Sequence, residues 1–291
     1  MEVAIAHMTF EEVAQAIAAK RLVIVPCGAT EAHGPHMPCD TDTHQAEYVA
    51  LKLAERIGAV VAPAIPYAVS KTFEHFAGTI SLSIPTYQQL VYEVGAALIK
   101  QGFVNLLLLN GNRPNGTSND AVARRLIDDL DQDFDFTVTA VSYWEPGAAA
   151  IHAHRRSGVG GMGHGCEFET SFQLATRPAL VKMERLKGVY APLVGWDLVA
   201  PGEPARTYRR RPTPRTNHAS IFGDPHKASA ASGAAFLEAT IDALVKMMTS
   251  LQPSYEERRG NGAARNGGGV RAATGKTRKR IGRGTTAMHL K

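Results

Sequence analysis

The run Phe103-Val104-Asn105-Leu106-Leu107-Leu108-Leu109 constrains the fold more than any other stretch of the chain. A strand so continuously apolar is of the parallel-sheet type, buried on both faces under packed helices. The neighbouring segments agree with that demand. Residues 86–101 carry helical apolar spacing and stop at Gly102, and a further helix runs to about Leu130 before the strand Phe136–Tyr143. Upstream, Thr9 and Glu12 have capping-box spacing at the head of a helix over residues 9–19. A strand covers about 22–27, and a helix over 43–57 places Ala46, Val49, Ala50, Leu53 and Ala54 on one side before Gly58 ends it. Ala59–Ile65 reads as a second buried strand, and Ser70–Leu82 as a loop leading to a short one. This alternation predicts an α/β fold with a mostly parallel, helix-covered sheet.

Beyond that core the signal changes. Gly158–Gly163 reads as a flexible approach to His164, whose segment opens another helix, and residues 188–222 as an irregular excursion rich in Pro and Arg. The last ordered helix is expected from about Ala228 to Leu251. From Gln252 the chain is Gly-, Ala- and Arg-rich with almost no apolar content, which predicts a disordered tail over 252–291 after one domain over 1–251. The formal charge of +5 belongs to that tail. From Arg258 to Lys291 there are ten Lys or Arg and no acid, so residues 1–257 hold 22 basic against 27 acidic side chains. No aromatic platform or zinc-finger spacing accompanies Arg209-Arg210-Arg211 or the basic tail, so no specific nucleic-acid partner is expected. No run of eighteen apolar residues predicts a membrane span. The first residues lack a basic region followed by an apolar core, and Cys27, Cys39 and Cys166 form no CxxC pair, which together predict a cytoplasmic setting.

Three loops carry the chemistry. The first, leaving the strand at 22–27, holds Glu31, His33, His36, Asp40 and Asp42. The second, after the Leu106–Leu109 strand, holds Asn110, Asn112 and Asn115, and the third holds His164, Glu167 and Glu169. In open α/β sheets ligands collect at the carboxyl edge, where the first two loops emerge. Carboxylates and imidazoles are the ligands that divalent metals of hard or borderline character take. The other reading of the first loop is a polar surface turn with a helix cap.

The stretch Pro26-Cys27-Gly28-Ala29-Thr30-Glu31-Ala32-His33-Gly34-Pro35-His36-Met37-Pro38-Cys39-Asp40-Thr41-Asp42 resembles the opening motif of the creatininase (creatinine amidohydrolase) family. Four later stretches fit in order: Glu74–Ile80, Leu109–Asn115, His164–Ser171 and Gly223-Asp224-Pro225. The likeness spans about residues 9–251 and implies a three-layer α/β/α domain, a homo-oligomer (a hexamer) and a small-molecule substrate. It also implies a metal-dependent hydrolase of a non-peptide C–N bond, with one or two ions of zinc or manganese. Carried over, Glu31, His33, Asp42 and Glu167 are the metal ligands, Asp42 bridging two ions, and His164 assists proton transfer. The fourth family ligand, a His, falls on Asn112, a neutral and weaker donor for zinc. That departure leaves three outcomes: one metal lost, a harder ion substituted, or a non-catalytic ligand-binding relative. A ring-forming or condensing enzyme is a further alternative.

Other residues carry two readings each. Arg113, where the family has Gly, either grips an anionic group on the substrate or offsets the acids nearby. His75 either lines the substrate pocket or packs a loop. Trp144, Trp196 and Tyr190 supply either an aromatic lid or core and interface contacts. Asn110 and Asn115 either donate to an oxyanion or hold the turn through backbone bonds. Cys39 and Cys166 are space-filling thiols or substitutes for a vacated ligand position.

Overall fold

A computed structural model describes residues 1–188, 190, 197–198 and 219–265, with backbone alone from 252. The chain divides into two units, Met1–Leu251 and Gln252–Lys291. In the first unit, α1 (Phe10–Ala18) begins on the expected capping box, Thr9 Oγ1 accepting from the Glu12 amide while the Glu12 carboxylate accepts from that of Thr9. The strands β1 (Val23–Cys27), β2 (Val60–Val61), β3 (Asn105–Asn110) and β4 (Thr137–Ser142) form one parallel sheet in the order β2-β1-β3-β4. Between them run α2 (Thr41–Ile57), α3 (Ile84–Gln101) and α4 (Gly116–Leu130). Gly58, at φ 70, closes α2 in the left-handed conformation that Gly adopts without strain. The strand expected over 59–65 pairs regularly only at Val60 and Val61, with isolated bridges from Val61 to Ala4 and from Ile65 to Cys27.

Two apolar layers follow from the period of 2 along the strands. Val23, Val25, Leu106 and Leu108 join Tyr87, Val91, Ile99, Val122 and Leu126 on the face covered by α1, α3 and α4. Ile24, Leu107 and Leu109 join Val49, Leu53, Phe168, Phe172, Phe236 and Leu244 on the other. That second face is covered by α2, α5 (Ala148–His154), α6 (Glu167–Thr176) and, of α7 (Ala230–Arg265), the part within the first unit. The arrangement is the three-layer α/β/α sandwich that the apolar runs demand.

The chain moves outward from β1 to β2, then crosses back to β3 on the opposite side of β1. The carboxyl ends of β1 and β3 therefore flank a topological switch point, where such sheets place their ligands. Close contacts seat the loops there. A Cβ on Gly28 would lie 2.3 Å from Thr43 Cα, and one on Gly111 would lie 2.7 Å from the Asp42 carbonyl oxygen. Glycine at these two positions lets both loops press against the first turn of α2.

Two departures from the sequence expectation stand out. Gly158–Gly163 is not only a flexible approach: Met162–His164 form β5, antiparallel to β6 (Phe222–Gly223). The partner lies about sixty residues on, so no local pattern announces the pairing. In the second unit, the backbone from Gln252 is helical as far as Arg265, where disorder was the expectation. The excursion at 188–222 and the tail beyond 265 fall almost entirely outside the described residues, as do Trp196 and Arg209–Arg211. No described helix is long and apolar enough to cross a membrane.

Candidate metal centre

The loop after β1 turns back under the start of α2, and the Glu31 amide donates to the Cys39 carbonyl at 2.9 Å. Glu31 and His33 enter the interior from this loop, and Asp42 follows in the first turn of α2. From the third loop, His164 ends β5 and Glu169 sits in the first turn of α6. Glu31 is 2% exposed, His33 0%, Asp42 3%, and His164 and Glu169 8% each. Within each of two sets, Glu31–His33–His164 and His33–Asp42–Glu169, one ligating atom per residue lies within 4.8 Å of the others.

Each group is held by the backbone around it. His33 Nδ1 lies 3.1 Å from the Glu31 carbonyl oxygen, which can only accept, so that nitrogen carries the hydrogen. His33 Nε2 then faces Asp42 Oδ1 at 3.0 Å and Glu169 Oε1 at 3.8 Å, forming a hydrogen bond of proper geometry to neither. Glu169 Oε2 accepts from the amides of Gly165 at 2.5 Å and Cys166 at 3.4 Å, which leaves Oε1 for the centre. Gln45 braces the same turn, donating from Nε2 to the Glu169 carbonyl while its Oε1 accepts from Tyr143 Oη. His164 lies between two rings, Phe73 at 4.0 Å and His33 at 4.1 Å.

The electrostatics are those of acids crowded out of water. Burial, reinforced by the Asp42 charge, pushes Glu31 up to about 8. Burial also raises Asp42. For His33 burial opposes the charged form, yet Asp42 and Glu169 outweigh it and hold the ring well above its usual range. Burial lowers His164 to about 3 and His36 to about 4, each with help from the charge on His33. Glu169 is lowered despite its burial, because His33 and the Cys166 amide favour its anion.

These shifts have a measurable consequence. Between the 4.5 of an ordinary glutamate and about 8, folded Glu31 keeps a proton that the unfolded chain releases. Stability therefore falls with rising pH across that window, and the raised His33 acts in the same direction above its ordinary 6.5. The lowered His164 and His36 act the other way near and below their ordinary 6.5, so the net decline is confined to the side above pH 7. Urea unfolding of chelator-treated protein at pH 7, 7.5 and 8 is expected to show it, and zinc to remove it. A flat or rising profile without metal would contradict the buried acid cluster.

The donor set fits a divalent cation. Three carboxylates and two imidazoles suit zinc or manganese, and buried acids so close repel one another without a positive charge among them. Glu31 Oε2, His33 Nε2 and Asn112 Nδ2 are buried with no hydrogen-bond partner, which is costly unless something else satisfies them.

Several expected site residues lie elsewhere. Glu167, expected as a ligand, spends both oxygens on the amides of Arg156 and Ser157, at 2.8 and 2.6 Å. The acid of this loop that faces His33 is Glu169. Two residues along a helix are about 200° of rotation apart, so the two acids of α6 face different surroundings. The proton-carrier expectation for His164 meets a ring with Nε2 bonded to the Ala32 carbonyl at 2.8 Å and Nδ1 against Glu31. His75 is exposed and rests on Phe76, and Phe73 is the aromatic that reaches the centre. Trp144 is buried in the core beside Tyr143. Arg113 is exposed, at the start of a short turn.

Asn110 and Asn115 are buried and hold loops together. Asn110 donates to Ser142 Oγ and accepts from the Asn112 amide, and Asn115 donates to the Gly28 carbonyl and accepts from the Val69 amide. Asp40 pairs with Arg177 at 2.7 and 2.8 Å, outside the cluster. Cys39 is half-buried, and Cys166 is a buried thiol 3.7 Å from Glu169 Oε2. Phe73 and Gln45 escaped sequence reasoning because each acts through a contact distant in the chain. Glu169 carried a readable signal, the third helical position of a capping box.

Comparison with known proteins extends the picture. The family model "Creatininase: Creatinine amidohydrolase" matches residues 6–248. A protein of Mycobacterium tuberculosis named Mycofactocin precursor peptide peptidase is 30% identical over 243 residues, covering 79% of this chain and 86% of the relative. The Creatinine amidohydrolase of Pseudomonas putida is 33% identical over 221 residues, covering 70% and 83%. Among solved structures, a manganese creatininase is similar at a TM-score of 0.74 and 27% identity, covering 86% of this chain and 98% of that one. A mutant creatininase of zinc–zinc type is similar at 0.73 and 28%, with the same coverage.

Proposed function

Since this chain belongs to the creatininase family, we propose that it is a metal-dependent hydrolase of an amide C–N bond, with its metal held by Glu31, His33, Asp42 and Glu169. One observation carries the reading: acids and imidazoles from separate loops meet in the interior with buried polar atoms unpartnered. A divalent ion there supplies a water acidic enough to attack near neutral pH and a Lewis acid for the amide carbonyl. Zinc or manganese is the ion of this reading, in line with the forms of the similar solved creatininases. The protein's own part is to hold three carboxylates and His33 in fixed directions: the capping amides aim Glu169, and the Glu31 carbonyl fixes the His33 tautomer. Asn112 is buried on the β3 loop with its amide nitrogen unpartnered, and it brings no imidazole.

The convergence of five ionisable groups weighs against a dismantled centre, the reading that Asn112 by itself invites. The same proposal takes the protein as a cytoplasmic homo-oligomer acting on a small molecule. A second reading, peptide cleavage, is favoured by the relative named as a precursor peptide peptidase, and it widens the bond class beyond non-peptide amides. Full-length protein is expected to retain zinc or manganese on purification and to hydrolyse members of a panel of cyclic amides, creatinine included, or short peptides. Chelation is expected to abolish turnover and the returned ion to restore it. Failure to bind zinc or manganese at millimolar concentration would end the proposal.

A further inference from the structure

We infer that Ser220 is a positioning residue of this centre, its hydroxyl fixing the Ala32 carbonyl that in turn fixes the ring of His164. The inference rests on the hydrolase reading above and deepens it. A carbonyl oxygen has two lone pairs, and that of Ala32 uses both. It accepts from His164 Nε2 at 2.8 Å and from Ser220 Oγ at 2.7 Å. The Ala32 amide donates to Thr79 Oγ1 at 3.0 Å, so the residue between Glu31 and His33 is tied at both its polar groups. Because a carbonyl only accepts, Nε2 of His164 bears the hydrogen. Neutral His164 then keeps its lone pair on Nδ1, 3.5 Å from Glu31 Oε1.

The backbone of Ser220 is strained to make this contact. Its φ is 51, in the left-handed region where a Cβ is crowded. Among the described residues only Lys20 and Ser220 combine a side chain with a positive φ, every other such residue being Gly. Lys20 is exposed beyond the end of α1, whereas Ser220 is 1% exposed. Glycine would take up the same conformation freely but has no hydroxyl to offer Ala32. Strain of this kind persists only where the surrounding structure imposes it, and it gathers at functional sites.

The next two residues impose it here. Ile221, 2% exposed, is wedged between the first and third loops. A Cβ on Gly34 would stand 2.7 Å from Ile221 Cδ1, and one on Gly165 would stand 3.1 Å from Ile221 Cγ1 and 3.2 Å from the Ser220 carbonyl oxygen. Phe222 pairs with His164 across β5 and β6, and its ring lies 6.1 Å from Phe73, the ring stacked on His164. Residues 220–222 are thus a fourth segment of the centre. They touch the loop that carries His33, the strand end that carries His164 and the aromatic ring that covers it. With Nε2 tied to Ala32 and one face under Phe73, His164 turns Nδ1 toward the acids. Without the Ser220 hydroxyl, the Ala32 carbonyl is held from one side fewer and the imidazole loses a rigid support.

The test compares Ser220→Gly and Ser220→Ala with wild type, each as full-length protein. Both variants lose the hydroxyl and only Ser220→Gly relieves the backbone, so it is expected to melt about 2–4 °C above Ser220→Ala. One readout does not need turnover. In 15N-histidine-labelled protein the Nε2 hydrogen of His164 is expected to exchange with solvent about 10-fold faster in both variants than in wild type. The other readout is kinetic, on the amide that wild type hydrolyses fastest. There kcat is expected to fall about 10-fold in both variants with KM within about 2-fold, in Ser220→Gly as much as in Ser220→Ala. A serine that serves only the fold would be replaced by glycine without loss. Wild-type kcat in Ser220→Gly, or wild-type exchange at His164 in both variants, would therefore overturn the inference and leave the hydrolase reading intact. If wild type supplied with zinc or manganese hydrolyses no amide, the hydrolase reading fails, and the exchange rates alone decide whether Ser220 places His164.

Discussion

Glu169→Gln is expected to weaken metal binding by about 100-fold or more and to lower amide hydrolysis by about 10^3 (~4 kcal/mol of barrier), the scale of what a bound ion contributes. The variant keeps the shape of the side chain and an oxygen to accept from the Gly165 amide, so α6 still starts where it should. Only the charge facing His33 is lost. Glu167→Gln is the matched control and should behave differently. Its carboxylate accepts two amides at once, and the amide nitrogen of Gln would turn a donor toward a donor. A loss of about 1–3 kcal/mol of stability is expected, with metal content unchanged. Elemental analysis and urea unfolding of the two variants separate the roles. If Glu167→Gln loses the ion and Glu169→Gln retains it, the ligand assignment must move back to Glu167.

Phe168→Ala is the substitution expected to cost the fold most. Its ring, 0% exposed, lies between the two acids of α6 in sequence and packs against Tyr143 at 6.1 Å and Phe236 at 5.4 Å. Truncation leaves a cavity where α6 meets the sheet and α7, at a cost of about 3–5 kcal/mol. For a chain of this size that corresponds to a melting temperature lower by about 10 °C. Glu169 depends on the same helix, so weaker metal retention on mild heating should accompany the loss. A shift under about 2 °C in differential scanning calorimetry would mean that α6 is not anchored through this ring.

The parallel sheet was legible because burial on both faces leaves a mark in every residue of a strand. Leu106–Leu109 has no polar side to offer water, and the helices around it carry their own apolar stripes. Helix ends were legible for the same local reason: the Thr9–Glu12 capping box and the left-handed Gly58 depend on residues within one turn. The pairing of β5 with β6 was not, since its partner strand lies far along the chain and Gly163 advertises only freedom. Asn110 and Asn115 show the limit for side chains. Asn on a loop after a strand fits an oxyanion donor or a brace, and only the surrounding carbonyls and amides decide for the brace.

What the sequence determined by itself was the sheet, the family and the identity of three loops able to meet a cation, because periodicity and motif are properties of neighbouring residues. What only the tertiary structure decided was which atoms of those loops face inward. Glu167 and Glu169 are equivalent as chemistry and two positions apart. The helix start that they share turns one toward the amides of residues 156–157 and the other toward His33. His164 likewise is an imidazole in either account, and the carbonyl of Ala32 decides which of its nitrogens carries the hydrogen.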